Sequence, residues 1–366
     1  MTRRLLSLSA VAGLCLAAPG PVARHTVVYR ETGRFGGWPA NHGIWSWDNE
    51  ILVGFSAAWF EKRDPDRHQM NGQRGEEPRQ ARSLDGGETW TVESPPGLMT
   101  PEFGGAAVSP LDQTIDFSRP GFAMAIKFVD NHAGPSRLWY SYDKGKSWRG
   151  AFSFPDLGLP GIAARTDYVV TGPREATVFP TAAKSNRREG RPLCARTSDG
   201  GITWKLVSMI GPEPAGFAIM PSSLRLHRRE WLTTVRMKQE PDNWIEQYRS
   251  ADDGETWKSE GRVASTGAFS GNPSHLIRLK DGRLCLTYGN RSQPPSILAK
   301  LSRDQGRTWG PEIAIRTNAA AWDMGYVRSA QRPDGRIVTI YYYNDAPHNE
   351  RFIAATIWDA GSAGQR

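Results

Sequence analysis

At 366 residues, with 38 glycines and 26 prolines, the chain has the length and turn content of one large all-β domain rather than of two domains of another class. Its formal net charge is +8, yet the 46 lysines and arginines are scattered, with no long basic run and no nucleic-acid motif, which excludes nucleic acid as the expected partner and leaves a basic exported protein or a cleft for an acidic sugar. Beyond the first residues only Cys194 and Cys285 remain, both in apolar strand-like runs and read as buried thiols with a disulfide left open, and no Cys or His spacing suits a metal, so neither metal nor cofactor is expected.

The chain opens with a secretory pattern. Arg3-Arg4 precedes a short, mostly apolar run over 5–18, and small residues follow, so a leader is expected at 1–23 with cleavage near Ala18 to Ala23. The run is too short to span a membrane, no other spanning segment follows, and the expected location is secreted or periplasmic.

From residue 83 one pattern recurs. Ser83-Leu84-Asp85-Gly86-Gly87-Glu88-Thr89-Trp90 is followed by copies at 141–148, 197–204, 250–257 and 302–309, each reading S/T-x-D-x-G-x-T/S-W. The closing tryptophans lie 58, 56, 53 and 52 residues apart, and a degenerate sixth copy, Ile357-Trp358-Asp359-Ala360-Gly361, sets Asp359 55 residues after Asp304. Asp and Gly at these offsets make a tight turn, the Asp accepting backbone N–H groups and the Gly taking positive φ. Strand-like runs lie before each copy, and Asp281-Gly282 and Asp334-Gly335 sit between further β-rich runs as hairpin turns. A unit this small cannot bury both faces of its sheet, so the repeats are expected to stack in a ring. The predicted fold is a six-bladed β-propeller of four-stranded antiparallel blades, one domain over 24–366.

In such a ring the inner strands and the ends of their neighbours line a central funnel. The candidates there are Trp38 to Gly43 including His42, then Asp116, Arg165-Thr166-Asp167-Tyr168, Ile219-Met220-Pro221, Asn272 to His275, and Asp323 to Tyr326. Strand ends add Lys127, Lys184, Arg236, Arg291 and Asn344.

The five copies resemble the Asp-boxes of the sialidase superfamily, and the resemblance covers nearly all of the chain after the leader. It implies boxes at the blade periphery with no catalytic role. It also implies an exo-glycoside hydrolase acting on a terminal acidic sugar of a glycan, and a monomer is expected. Members bind a carboxylate with three arginines, whose planar forks match it. Arg236 matches the second of these and Arg291 the third, while Arg34 or Arg30 stands in for the poorly matched first. Tyr326, ahead of Asp334-Gly335, fits the nucleophile. Two positions depart from the pattern. Ile219-Met220-Pro221 replaces the segment that carries the tyrosine's glutamate partner. The loop at 61–77, expected to hold the acid/base aspartate, reads His68-Gln69-Met70-Asn71 at the aligned place, with Asp64, Asp66, Glu76 and Glu77 nearby. Asp116 and Asp323 are the carboxyls expected to substitute, with Asp323 orienting Tyr326. His42 and His275 are candidate proton carriers on the substrate-binding side. A glycan-binding propeller without catalysis and a polysaccharide lyase on the same fold are the alternatives.

Overall fold

The computed structural model describes residues 23–98, 108–267 and 270–361, so the expected leader lies, but for Ala23, outside the described residues. Six antiparallel sheets follow one another along the chain as six blades. Blade four shows the plan without interruption: Phe217–Arg225 innermost, then Trp231–Gln239, Asp242–Ser250 and Lys258–Ser265. Blade five repeats it with Ser274–Arg278, Leu284–Asn290, Ser296–Ser302 and Ile313–Arg316. In blade one the inner strand is split into Arg34–Gly37 and Ile44–Trp47 around a 3-10 turn at Pro39–Asn41, and blade three has a comparable break between Ile162–Ala163 and Tyr168–Gly172. Blade two has three strands among the described residues, Ala123–Phe128, Ser136–Ser141 and Arg149–Phe154, and no inner one.

Blade six is assembled from both ends of the chain. Gly325–Gln331, Ile337–Tyr343 and Phe352–Trp358 come from the C-terminal part, and Ala23–Tyr29 adds the outer strand, with Ala23 opposite Trp358 and Thr26 opposite Ala355.

The core lies between blades. One cluster joins Phe35, Ile51 and Phe55 of blade one to Tyr342 and Ile353 of blade six; another joins Trp45 and Leu52 to Trp139 and Trp148 of blade two. The remaining seams are built alike, for example Leu232 and Ile245 of blade four against Leu276 and Leu284 of blade five. Alternation along each strand sends successive side chains to opposite faces, so every blade supplies half of two seams.

The repeated turns sit after the third strand and staple neighbours together. Asp85 accepts from the Thr89 hydroxyl at 2.6 Å and the Thr89 N–H at 2.9 Å, and Ser83 Oγ accepts the Gly87 N–H at 2.7 Å. The tryptophan then reaches the preceding blade: Trp148 Nε1 donates to Gln80 at 3.0 Å, and Trp309 Nε1 to Gln247 at 2.9 Å. An arginine on that same preceding blade grips the turn's carbonyls, as Arg82 does on Lys144 at 2.9 Å and Arg249 on Gln305 at 2.9 Å. The expected peripheral, structural role of these residues is what their contacts describe. Cys194 and Cys285 are buried and free, in blades three and five.

Deleting residues 23–29 leaves Phe352–Trp358 with a bare hydrogen-bonding edge and opens the seam between blades six and one. The expected result is loss of the single cooperative thermal transition, with association visible by gel filtration. A truncated chain that melts as the full chain does contradicts this account of closure.

Candidate active site

The inner strands of blades four and six carry matching bulges at one mouth of the ring. Pairing in blade four jumps from Ile219–Arg236 to Ser222–Thr234, and in blade six from Gly325–Tyr342 to Arg328–Ile340. Each bulge holds a residue in the left-handed region, Met220 at φ 54° and Tyr326 at φ 51°, and Trp38 at the broken inner strand of blade one adopts φ 55°. Non-glycine residues rarely occupy this region, and here a bulge re-aims a side chain out of the strand's alternation. Asn272 of blade five fixes the turn by accepting the Tyr326 N–H at 3.1 Å. Gly325 must be glycine for this to fit, because a Cβ there would lie 2.3 Å from Asn272 Oδ1.

Arg236, within the second strand of blade four, and Arg291, just past the end of that of blade five, close on Tyr326. Arg236 Nη1 donates to the Tyr326 hydroxyl at 2.9 Å, and Nη2 bonds Ser270 O. Arg291 is held by Gly271 O at 2.8 Å, Met324 O at 3.2 Å and Tyr342 Oη at 2.7 Å, and its guanidinium lies 4.9 Å from the Trp322 ring. Burial works against ionisation of Tyr326, but Arg236, Arg291 and Arg165 outweigh it and bring its pKa below the ordinary 10.0. Arg165 is thus the third guanidinium near the phenol. It entered the sequence reading only as an inner-strand residue of repeat three.

Asp323 is fully buried behind this group. Its Oδ1 accepts from Tyr342 Oη at 2.7 Å and from His68 Nδ1 at 2.6 Å, and Oδ2 accepts from Arg351 Nε at 3.0 Å. Burial alone would raise its pKa; His68, Arg351 and Arg291 reverse that and hold the carboxyl far below the usual carboxylate range. Asp323 therefore stays an anion and meets Tyr326 only through Tyr342, whose ring packs edge-on to Tyr326 at 5.9 Å. His68 is 39% exposed and sits between the Trp38 and Trp322 rings at 5.3 and 5.7 Å. Nδ1 is engaged by Asp323, which leaves Nε2 as the ring's other nitrogen. The signal for His68 in the sequence was its position in the loop at 61–77, where the resemblance leads one to look for a proton donor.

Other expected residues lie elsewhere. Asp116 is not in the funnel: it is exposed, bonds Ser118 at 2.6 Å, and its N–H donates to Tyr142 beside a repeated turn. Among the described residues blade two has no inner strand, and the segment that was expected to line the funnel runs along the turn side instead. Arg34 bonds Glu77 at 3.2 Å and stacks over Trp59 at 4.3 Å. Its neighbour Phe35 takes the face toward Tyr342, so strand alternation turns Arg34 away. His42 is fully buried, bonded to Ser56 at 2.9 Å. His275 accepts the Ser329 N–H at 2.9 Å and lines an axial cavity of about 240 Å³ with Asp167 and Arg328. Burial pushes Asp167 up to about 7 against the pull of Arg328 and Ser223. The glutamate's place beside the tyrosine is taken by Met220, whose Sδ lies 3.6 Å from Arg236 Nη1.

Six blades, with arginines gathered on a tyrosine of the last one, define a sialidase-like propeller. The chain belongs to the BNR repeat-like domain family, whose model matches residues 122–340. No curated protein matches the sequence. Among solved structures, a Dyadobacter fermentans protein of unknown function is similar at 23% identity over 93% of this chain and 100% of that one, with a TM-score of 0.71. A Trypanosoma rangeli sialidase in complex with sialic acid is 13% identical over 92% of this chain and 59% of its own, with a TM-score of 0.61. The NanB sialidase of Streptococcus pneumoniae is 12% identical over 92% and 70%, with a TM-score of 0.58. At these identities the shared property is the fold.

Two measurements check the electrostatics. In an ultraviolet titration Tyr326 is expected to ionise below pH 10, ahead of Tyr29, Tyr168 and Tyr248, which burial pushes to about 12. The early tyrosinate signal should vanish in Tyr326→Phe; an unchanged early phase contradicts the assignment. Asp323→Ala leaves Arg351 buried without its carboxylate and is expected to cost about 3–5 kcal/mol in chemical denaturation. Because the folded pKa is depressed, that advantage of the native chain is complete above the ordinary carboxylate range and fades as pH falls through it toward the folded value. A difference that does not shrink in acid contradicts the pairing.

Proposed function

We propose that this protein is an exported glycoside hydrolase that acts on a terminal carboxylated sugar of a glycan, with Tyr326 as nucleophile and His68 as proton carrier. The observation that carries the reading is the Tyr326 hydroxyl at 2.9 Å from Arg236, with Arg291 and Arg165 also acting on the phenol. Guanidinium groups suit a substrate carboxylate, and a phenol avoids the repulsion that an anionic carboxylate nucleophile would feel beside it. A sialidase of the same fold, from Trypanosoma rangeli, is known with sialic acid and with 2,3-difluorosialic acid as a covalent intermediate, which supports a carboxylated sugar and covalent chemistry here.

In this scheme Tyr326 reacts as the phenolate that Arg236, Arg291 and Arg165 favour, its proton already lost to solvent, and its Oη attacks the anomeric carbon as the bond to the leaving oxygen breaks. His68 Nε2 gives that oxygen a proton, and the Asp323 carboxylate stabilises the charged and correctly oriented imidazole. Water then displaces the tyrosine from the sugar, losing its proton to His68. A leader of residues 1–23 would take Ala23 from the closing strand Ala23–Tyr29 and leave the rest of it.

Met220 favours a second reading. With no carboxylate bonded to the phenol among the described residues, the arginine-stabilised phenolate is also suited to abstract a proton α to a uronate carboxylate, with His68 protonating the leaving oxygen. That is elimination, a lyase reaction.

The test is turnover of a panel of sialosides and uronides. Reducing sugar released without new ultraviolet absorbance identifies hydrolysis; a conjugated double bond in the product identifies elimination. Tyr326→Phe is expected to abolish either, and His68→Ala to lower kcat by about 10²–10⁴-fold. Full activity in Tyr326→Phe overturns the assignment, and affinity for glycans without any turnover makes the protein a binding propeller.

A further inference from the structure

The axial cavity of about 240 Å³ takes no part in the chemistry at Tyr326. It is lined by Ile44 of blade one, Thr166, Asp167 and Tyr168 of blade three, His275 of blade five and Arg328 of blade six, and by none of the cleft residues. Ile44, Asp167, Tyr168 and His275 are half-buried, so part of its wall is open to solvent.

Two side chains bring unused donors to this cavity. Arg328 is 4% exposed, and only one of its nitrogens is bonded among the described residues. Nη2 donates to Ala40 O at 2.7 Å and to Thr166 O at 2.9 Å, whereas Nε is buried without a partner. His275 Nδ1 accepts the Ser329 N–H, and burial with Arg328 keeps the ring's pKa well below 6.5. The imidazole is therefore neutral with its proton on Nε2, which donates to nothing among the described residues.

Asp167 stands across from them, anchored on the blade-four side, where Oδ2 accepts from Ser223 Oγ at 2.9 Å. Arg328 acts on its ionisation, yet the two form no direct ion pair among the described residues. No other charge faces this carboxyl. His275 is neutral, and burial keeps the proton on Tyr168, its chain neighbour, up to about 12. Buried donors without an acceptor are costly, and native structures rarely keep them. With Asp167 protonated, the cavity carries a single positive charge, and Ile44 and the Tyr168 ring set apolar surface beside it.

We propose that the axial cavity is a binding site for a small monocarboxylate, its carboxylate received by Arg328 and His275 and its short carbon chain lying against Ile44 and Tyr168. Charge-assisted N–H donors suit a carboxylate, and one positive charge matches one negative charge better than it matches a dianion. An ionised Asp167 would repel the guest. Binding therefore takes up a proton from solvent at that carboxyl, and affinity falls as pH rises through about 7. The inference does not rest on the proposed function.

Calorimetric titration of the whole protein with propionate, propionamide and sulfate tests it. At pH 6 propionate is expected to bind at least about tenfold more tightly than its neutral amide, as one charge-assisted contact provides, and more tightly than sulfate. Between pH 6 and pH 8 its affinity should fall about tenfold, with proton uptake read from titrations in two buffers of different ionisation heat. Asp167→Asn should keep the binding and lose both the pH dependence and the uptake. Arg328→Met should abolish binding, whereas Arg236→Ala, in the Tyr326 cleft, should leave it unchanged. Should Arg328→Met fail to fold, the uptake in the native chain and its loss in Asp167→Asn decide. No propionate binding at pH 6, equal binding of propionamide, sulfate as tight or tighter, binding lost in Arg236→Ala, or a pH dependence that survives in Asp167→Asn overturns the site.

Discussion

Everything in this molecule depends on a seam. No blade has a core of its own; apolar side chains from two neighbours meet between them, as Trp45 and Leu52 meet Trp139 and Trp148. A stack of such units ends with bare faces unless it returns on itself, and closure removes them. The repeated turns add a polar lock at several seams, each linking an indole N–H and a carbonyl to a Gln or Arg one blade back. This explains a sequence pattern regular in its Asp, Gly and Trp yet free of reactive chemistry.

A ring held at its seams can loosen its inner strands, and the chemistry lies where it does. The bulges at Met220 and Tyr326 break strand pairing at one mouth only, and the backbone around them is held by Asn272 and the arginines. The electrostatics follow from numbers of charges. Arg236, Arg291 and Arg165 stand near one phenol, while the nearby carboxylate, Asp323, is enclosed by Tyr342, His68 and Arg351. Positive charge faces the cleft, and the compensating anion sits behind it.

The fold was legible in the sequence because a turn with fixed offsets marks each blade, and the spacing counts them. Arg236, Arg291 and Tyr326 were named from the resemblance, and the ring brings the three side chains together. Arg165 and His68 were harder. The first matters only because the ring brings blade three across from blade six, and the second because a long irregular loop folds back onto Asp323. Asp116 was misplaced because blade two lacks an inner strand among the described residues, so counting strands back from the repeated turn lands one strand off. Arg34 was misplaced by one step of alternation, the smallest error a strand permits.

Blade six joins the first described strand to the last, and His25 Nδ1 meets Thr356 Oγ1 at 2.8 Å across 331 positions of chain. A chain made from its N-terminus must therefore keep that strand waiting, unpaired, until Phe352–Trp358 has emerged. Completion of the ring has a very long loop to close, and non-local pairing of this kind is slow. Until it happens the earlier blades can form only as an open arc with two sticky ends. For such a protein the hazard lies less in unfolding than in the interval before the arc finds its own tail, when another copy's strand offers the same edge.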